Sequence, residues 1–222
     1  MPSSIACPSC GANVVVRSAA LPYISCSYCQ TLIRRDGPTL ESIGKTAVLP
    51  FDVSPIQLGT SGTWRGHPFT IVGRIRWGWD DGAWNEWFAE GPAGPRWLAE
   101  FMGDYMITAE REDVVDADTM AKFAAGHAVR RGAILYIGNV PYAATDFKNA
   151  TCIGGEGDLP FPAVVGRKMV NIDFRSPNGQ VLSLQRDEEG ASAWVGDAVE
   201  LNQLSPRNLR QLEGWTIPAF NQ

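Results

Sequence analysis

Residues 69–90, FTIVGRIRWGWDDGAWNEWFAE, decide how the rest of the chain is read. From 69 to 79 apolar and polar residues alternate with a period of two, the mark of a β-strand. Phe69, Ile71, Gly73, Ile75, Trp77 and Trp79 fall on one face, and Thr70, Val72, Arg74 and Arg76 on the other. Asp81-Gly82 is a strong hairpin-turn dipeptide. With those two as loop residues, Trp79 pairs with Trp84, Trp77 with Glu86, Ile75 with Phe88, and Arg76 with Trp87. Ile75, Trp77, Trp79, Trp84 and Phe88 then share one face, four of the five aromatic, where a β core would need them. Arg76 can cover Trp87 on the opposite face, a cation–π contact worth about 0.5–1 kcal/mol if exposed. Glu86 is the misfit. A carboxylate among aromatics needs either a raised pKa or a firm partner. It reads as a site for a cation such as an amine, or as a rim glutamate paired with Arg74, Arg96 or a backbone amide. Glu86, Trp87 and Arg76 form the candidate ligand or partner surface.

The same style spreads along the chain. The turn GPAGP precedes one or two strands in residues 96–107, and Asn178-Gly179 separates the runs Lys168–Phe174 and Gln180–Gln185. Further strand-like runs are Ala133–Ile137, Tyr142–Ala144 and Ala198–Leu204. With 23 glycines and 15 prolines distributed throughout, many short turns are expected. Helix is scarce: Asp118 can cap one through about Ala125, and Ser205-Pro206 can start another that ends before Gly214. The predicted fold is mostly β, a barrel or sandwich-like body with one or two short helices. Stretches 62–76 and 134–148 each read strand, glycine-containing turn, strand, which suggests a duplicated β-unit. The predicted division is 1–36, a linker 37–56, and a body 57–217 with candidate subdomains 57–115 and 127–217. Val48, Leu49 and Phe51 are not expected to stay exposed in the linker.

The N-terminal segment carries the firmest chemistry. Cys7, Cys10, Cys26 and Cys29 give C-x2-C-x15-C-x2-C, a spacing that reads as a four-cysteine zinc site. Two cysteines on one tight turn place both sulfurs on one side, and two such knuckles complete a tetrahedron. The arrangement resembles a zinc ribbon, with one structural Zn²⁺ per chain. A redox-active C-x-x-C usually stands alone ahead of a helix, so two copies argue against it. About 36 residues cannot build a sufficient core alone, so the metal is expected to hold the module together.

The formal charge is −5, which offers no bulk attraction to nucleic acid or anionic lipid. Residues 1–36 are nevertheless positive, and Arg17, Arg34 and Arg35 are candidate phosphate contacts. No run approaches the roughly 18 apolar residues of a membrane span, and no secretory pattern opens the sequence. Paired C-x-x-C motifs fit a reducing compartment, so a cytoplasmic protein is expected. No catalytic constellation emerges. His67 and His127 stand in turns, and Cys152 in ATCIGG reads as a small buried hydrophobe. GGEGD (154–158) matches no nucleotide-binding pattern and reads as a β-turn with two acids.

Gly59, Gly62, Gly73-Arg74, Trp84-Asn85-Glu86-Trp87 and Trp97-Leu98, with a later patch at Gly155, Glu156, Leu159 and Pro160, resemble the bacterial family called domain of unknown function 4178. The resemblance covers roughly residues 57–215, and the family often carries an N-terminal zinc ribbon. It implies no catalytic residues. It does imply an accessory role, through a protein partner, in a membrane-associated or polyamine-linked bacterial system. The expected function is therefore a non-enzymatic adaptor whose partner is a protein, a membrane protein among the candidates. The alternatives are a protein that binds or processes an amine or sugar around Glu86, and nucleic-acid binding through the ribbon, which the overall charge disfavours.

Overall fold

The computed structural model describes residues 3–218. The N-terminal unit contains β1 (Ser3–Ala6), β2 (Asn13–Val16), β3 (Tyr23–Ser25), β4 (Thr31–Asp36) and β5 (Thr39–Lys45). β1 pairs with β2, while β3, β4 and β5 form an antiparallel meander. The meander therefore reaches Lys45, and the segment expected to be linker from residue 37 begins as strand.

The body follows as β6 (Ser61–Trp64), β7 (His67–Trp79), β8 (Gly82–Glu90), β9 (Arg96–Phe101), β10 (Asp104–Glu110), α1 (Ala117–Ala124), β11 (Ile134–Ile137), β12 (Val140–Leu159), β13 (Lys168–Arg175), β14 (Gln180–Arg186) and β15 (Ala191–Val199). Eight of these strands close an antiparallel barrel in the order β7-β8-β9-β10-β15-β14-β13-β12, with β12 returning to β7. Closure leaves the barrel strands no free edge. Both halves have one plan: a short strand (β6 or β11), a tight turn, then a four-strand meander. First strand pairs with first strand, β7 with β12, and last with last, β10 with β15. The two candidate subdomains thus interlock into one barrel, and the repeated sequence stretches occupy equivalent hairpins.

The central hairpin differs from its sequence reading by two residues. Trp77 pairs with Trp84, Ile75 with Glu86 and Arg74 with Trp87, leaving Asp80-Asp81 as the loop. A two-residue shift keeps every side chain on its face. Gly82 is not a turn residue but the partner of Trp79, whose ring would stand 2.9 Å from any Cβ there. Upstream, the extra residue Val72 bulges between Ile71 and Gly73 and reverses the alternation. Phe69 and Ile71 consequently pack outside the barrel, while Val72, Ile75 and Trp77 pack inside it.

Both outer faces are covered. Ile56 and Leu204 close over Ile71, Trp87, Leu98 and Ile107. Phe123 of α1 packs with Tyr142, Ile172, Phe174, Leu182 and Leu184 on the other side. Asp116, two residues before the expected cap, accepts from Thr119 N at 2.9 Å and starts α1. Among the described residues no second α-helix follows Ser205. A 3-10 turn, Leu201–Leu204, ends there with Ser205 at φ 45°, and the following chain lies along residues 54–61. The last strand is Ala191–Val199 rather than Ala198–Leu204.

GGEGD is not a turn either; it lies within the 20-residue β12. Its glycines permit close approach to β7: a Cβ on Gly155 would fall 2.8 Å from the Arg74 carbonyl oxygen. The end of β12 pairs with β3, so one strand belongs to both the barrel and the ribbon. In the linker, Val48 and Phe51 are 73% and 81% exposed, contrary to expectation. Among the described residues no helix is long and apolar enough to cross a membrane.

Candidate functional site

Two sites stand out, one of sulfur and one of carboxylate. The four N-terminal cysteines come from two knuckles built alike. Gly11 N donates to the Cys7 carbonyl and Gln30 N to the Cys26 carbonyl, each at 2.9 Å. Both donors have left-handed backbones, φ 74° and 62°, which turns the chain just after the second cysteine of each pair. The ligand atoms all lie within 4.8 Å of one another, with Cys7–Cys29 and Cys10–Cys26 at 3.7 and 3.9 Å. A regular tetrahedron with bonds of about 2.3 Å has edges of about 3.8 Å, so the donor set fits a tetrahedral metal. Four protein sulfurs leave no position for a reacting water. Thr31, fully buried, places its hydroxyl 3.1 Å from Cys29 Sγ and holds that thiol down, to about 6.

The second site is the barrel interior. Ile75, Phe88, Trp97, Leu159 and Met169 pack together in its ribbon half, and Phe88, Trp97 and Met169 also border a second, open pocket of about 520 Å³. Toward the opposite end lies a cavity of about 250 Å³, lined by residues of both halves. Its lining runs from Glu86, 6% exposed, to Phe101, 41% exposed, and the Asp146 side chain, 45% exposed, so it opens to solvent at that end. Glu86 Oε2 accepts from Trp77 Nε1 at 2.9 Å, and Oε1 from Trp84 Nε1 at 3.3 Å and Gln185 Nε2 at 3.1 Å. Every donor is neutral. Burial pushes the carboxyl up to about 7, the indole and amide bonds oppose that rise, and Asp173 adds to it. The expected partners of Glu86 are elsewhere. Arg74 points outward to Asp52 and Asn85, and Arg96 donates to the Ala93 and Pro95 carbonyls.

The structure separates the three residues of the candidate surface. Glu86 faces inward; Arg76 and Trp87 face outward under the linker and C-terminal segment. Trp87 lies beneath Arg74, 4.7 Å from ring centroid to guanidinium, and donates to Glu100 at 2.9 Å. Arg76 instead donates to Asp52 at 2.7 Å. The ribbon arginines are also dispersed. Arg35 donates to the Ser18 and Leu21 carbonyls beside buried Asp158, Arg34 pairs with Glu41 at 2.8 Å, and Arg17 is exposed.

The second half of the barrel adds Asn171, Asp173, Ser183, Gln185 and Trp194 to the cavity, and β12 adds Asp146 and Lys148. Sequence reasoning singled out none of them. The signal was present as alternation in VNIDFR (170–175) and LSLQ (182–185). It reads as a solvated polar face, but here the apolar face is turned outward under α1, and the polar face lines the interior. Cys152 packs in the barrel core as expected, its thiol pushed up to about 11 by burial.

A family model described as a domain of unknown function, DUF4178, matches residues 57–201, and the chain belongs to that family. No curated protein and no solved structure matches it.

Proposed function

We propose that this member of the family is a small-molecule-binding barrel, with an amine or a sugar as ligand, carried on a zinc-stabilised ribbon that acts as a structural cap. The supporting observation is the cavity itself: it opens at one end, aromatic and polar walls line it, and at its base is a buried carboxylate with neutral partners only. Ligand sites are concave and mostly apolar, with a few placed polar groups, and this interior fits that description at small scale. The role proposed is binding without turnover. A ligand-detected NMR screen of small amines and sugars tests it, with Ala99→Phe as the cavity-filling control. Saturable binding that Ala99→Phe abolishes is expected. Absence of binding, or binding indifferent to that change, would overturn the reading.

Zn²⁺ is the proposed metal, one per chain, because an all-thiolate closed tetrahedron suits it. Elemental analysis of protein purified without added metal checks this; zero zinc would refute it. Zinc would fix the ribbon fold and take no part in binding at the barrel.

A protein-adaptor role has separate support in the exposed Val48, Phe51 and Val53, three apolar side chains close together in the linker. The partner would be a component of a membrane-associated or polyamine-linked system. Replacing all three by serine should abolish partner capture from the native host and leave ligand binding intact. Capture that survives the replacement would remove the linker as the contact.

A further inference from the structure

We infer that the ligand of the barrel cavity is a small organic ammonium ion, its charged nitrogen held by Glu86 and the surrounding indoles, its short apolar chain directed toward the open end. This rests on the proposal that the barrel binds a small molecule and narrows it to one charge class.

Three observations carry the inference. The first is the balance of charge. Glu86, Glu100, Asp104, Asp146 and Asp173 line the cavity against two cations, Lys148 and Arg175. Lys148 is itself engaged by Asp146 at 2.9 Å. An anionic ligand would meet excess negative charge on entry. The second is the partner list of Glu86. A carboxylate offers roughly four acceptor positions. Three are taken, all by neutral N–H groups, two on Oε1 and one on Oε2. Oε2 retains acceptor capacity, and no protein cation compensates the charge. A sugar hydroxyl could use that oxygen but would leave the charge unmatched.

The third observation is a template within the same cavity. The Lys148 ammonium bonds Asp146 and lies 4.9 Å from the Trp79 ring centroid, a carboxylate and an indole face together. Deeper in, Trp84, Trp97 and Trp194 line the same cavity as Glu86, whose bonded partners are all neutral. Aromatic faces attract cations most strongly where water is excluded. A bound metal ion is a poorer fit. Among the described residues the four cysteines are the only group of three or more ligand atoms close enough to share one, so the acids of the cavity do not converge. Burial holds Glu86 near neutrality in its titration, so an arriving cation would favour its charged form.

The experiment uses charge isosteres on the full zinc-loaded chain. Choline is compared with 3,3-dimethylbutan-1-ol, and butylammonium with butan-1-ol; glucose and butyrate run in parallel. Binding is read from the indole N–H resonances of Trp77 and Trp84, which bond Glu86 directly. The ammonium probes are expected to bind at least about tenfold more tightly than their neutral isosteres, a difference of about 1.4 kcal/mol. Glu86→Gln is expected to erase that preference; should this variant fail to fold, the isostere comparison on the unaltered chain decides alone. Equal affinity for ammonium and isostere, or saturation by glucose or butyrate alone, would overturn the cation assignment and leave the small-molecule reading standing. No saturation by any probe would overturn both.

Discussion

One hairpin buries two acidic sites on its two faces and treats them in opposite ways. Outside the barrel, Asp52, with a side chain 9% exposed, meets Arg74, Arg76 and Arg210. Burial raises its pKa, but the Arg210 bond, the Arg74 charge, Asn85 and the Ser54 amide outweigh burial and hold it below the usual range. Inside, Glu86 has indoles and an amide, and burial wins. The strands are shared; Glu86 lies deeper than Asp52, and protein cations reach only the outer site. The outer site is complete and closes the linker and C-terminal segment onto the barrel. The inner site lacks a countercharge, and that is what marks it as a place for something the chain does not itself provide.

The comparison can be broken in graded steps. The largest effect is expected from chelating the metal or from Cys26→Ser. Structural zinc contributes on the order of 10 kcal/mol to small metal-bound folds. Hydrogen exchange should show protection lost across residues 3–45, while the Trp77 and Trp84 indole resonances persist, because the barrel alone builds the inner site. Next comes Arg74→Met. Removing one partner of a buried ion pair costs about 3–5 kcal/mol, and urea denaturation should show a loss of that size. A loss below about 1 kcal/mol would mean that Arg76 and Arg210 suffice.

The inner site predicts a pH effect of known sign. The folded pKa of Glu86 is raised, from an ordinary 4.5 to about 7, so ionisation opposes folding. Its neutral form costs nothing below pH 4.5; stability then falls as pH rises toward 7 and is level above it. The loss relative to Glu86→Gln should be about 3 kcal/mol across that window. Taking the difference between the two proteins cancels the pH dependence of the thiolates. Asp173, Asp146, Lys148 and Arg175 also face the cavity and remain in both proteins. A flat difference would show that Glu86 has an unseen countercharge.

The smallest test compares the two cysteine knuckles. Gly11 and Gln30 share a left-handed backbone, which costs a non-glycine residue about 1 kcal/mol. Gln30→Gly should raise the thermal midpoint slightly, unless the Gln30 amide bond to the Ser27 carbonyl, at 3.0 Å, offsets the strain.

What could be read in advance differed sharply between the halves. In β7 and β8 the aromatic side chains are large and their interior is apolar, so alternation gave the correct faces from Arg74 onward through an incorrect register, and the wrong ones for Phe69 and Ile71. The bulge at Val72 was invisible because one extra residue changes no composition, only phase. In β13 and β14 the alternation of residues 170–175 and 182–185 separates two faces without saying which is inside, since α1 and β11 cover the apolar one. Glu86 was legible as an anomaly on an apolar face. Asp173 and Gln185 were not, because they alternate normally with apolar neighbours.

The sequence by itself determined the four-sulfur cluster, the predominance of strand, the repeated β-unit and the misplaced glutamate. Each is a local pattern of spacing or period, and local geometry is enough to express it. Barrel closure, the burial of Arg35 against Asp158, and the joining of two half-interiors into one cavity were decided only by tertiary structure. Those features depend on which strands meet after more than fifty residues of intervening chain. No short-range pattern carries that pairing; it follows from burying two sheet faces at once and leaving no barrel edge unpaired.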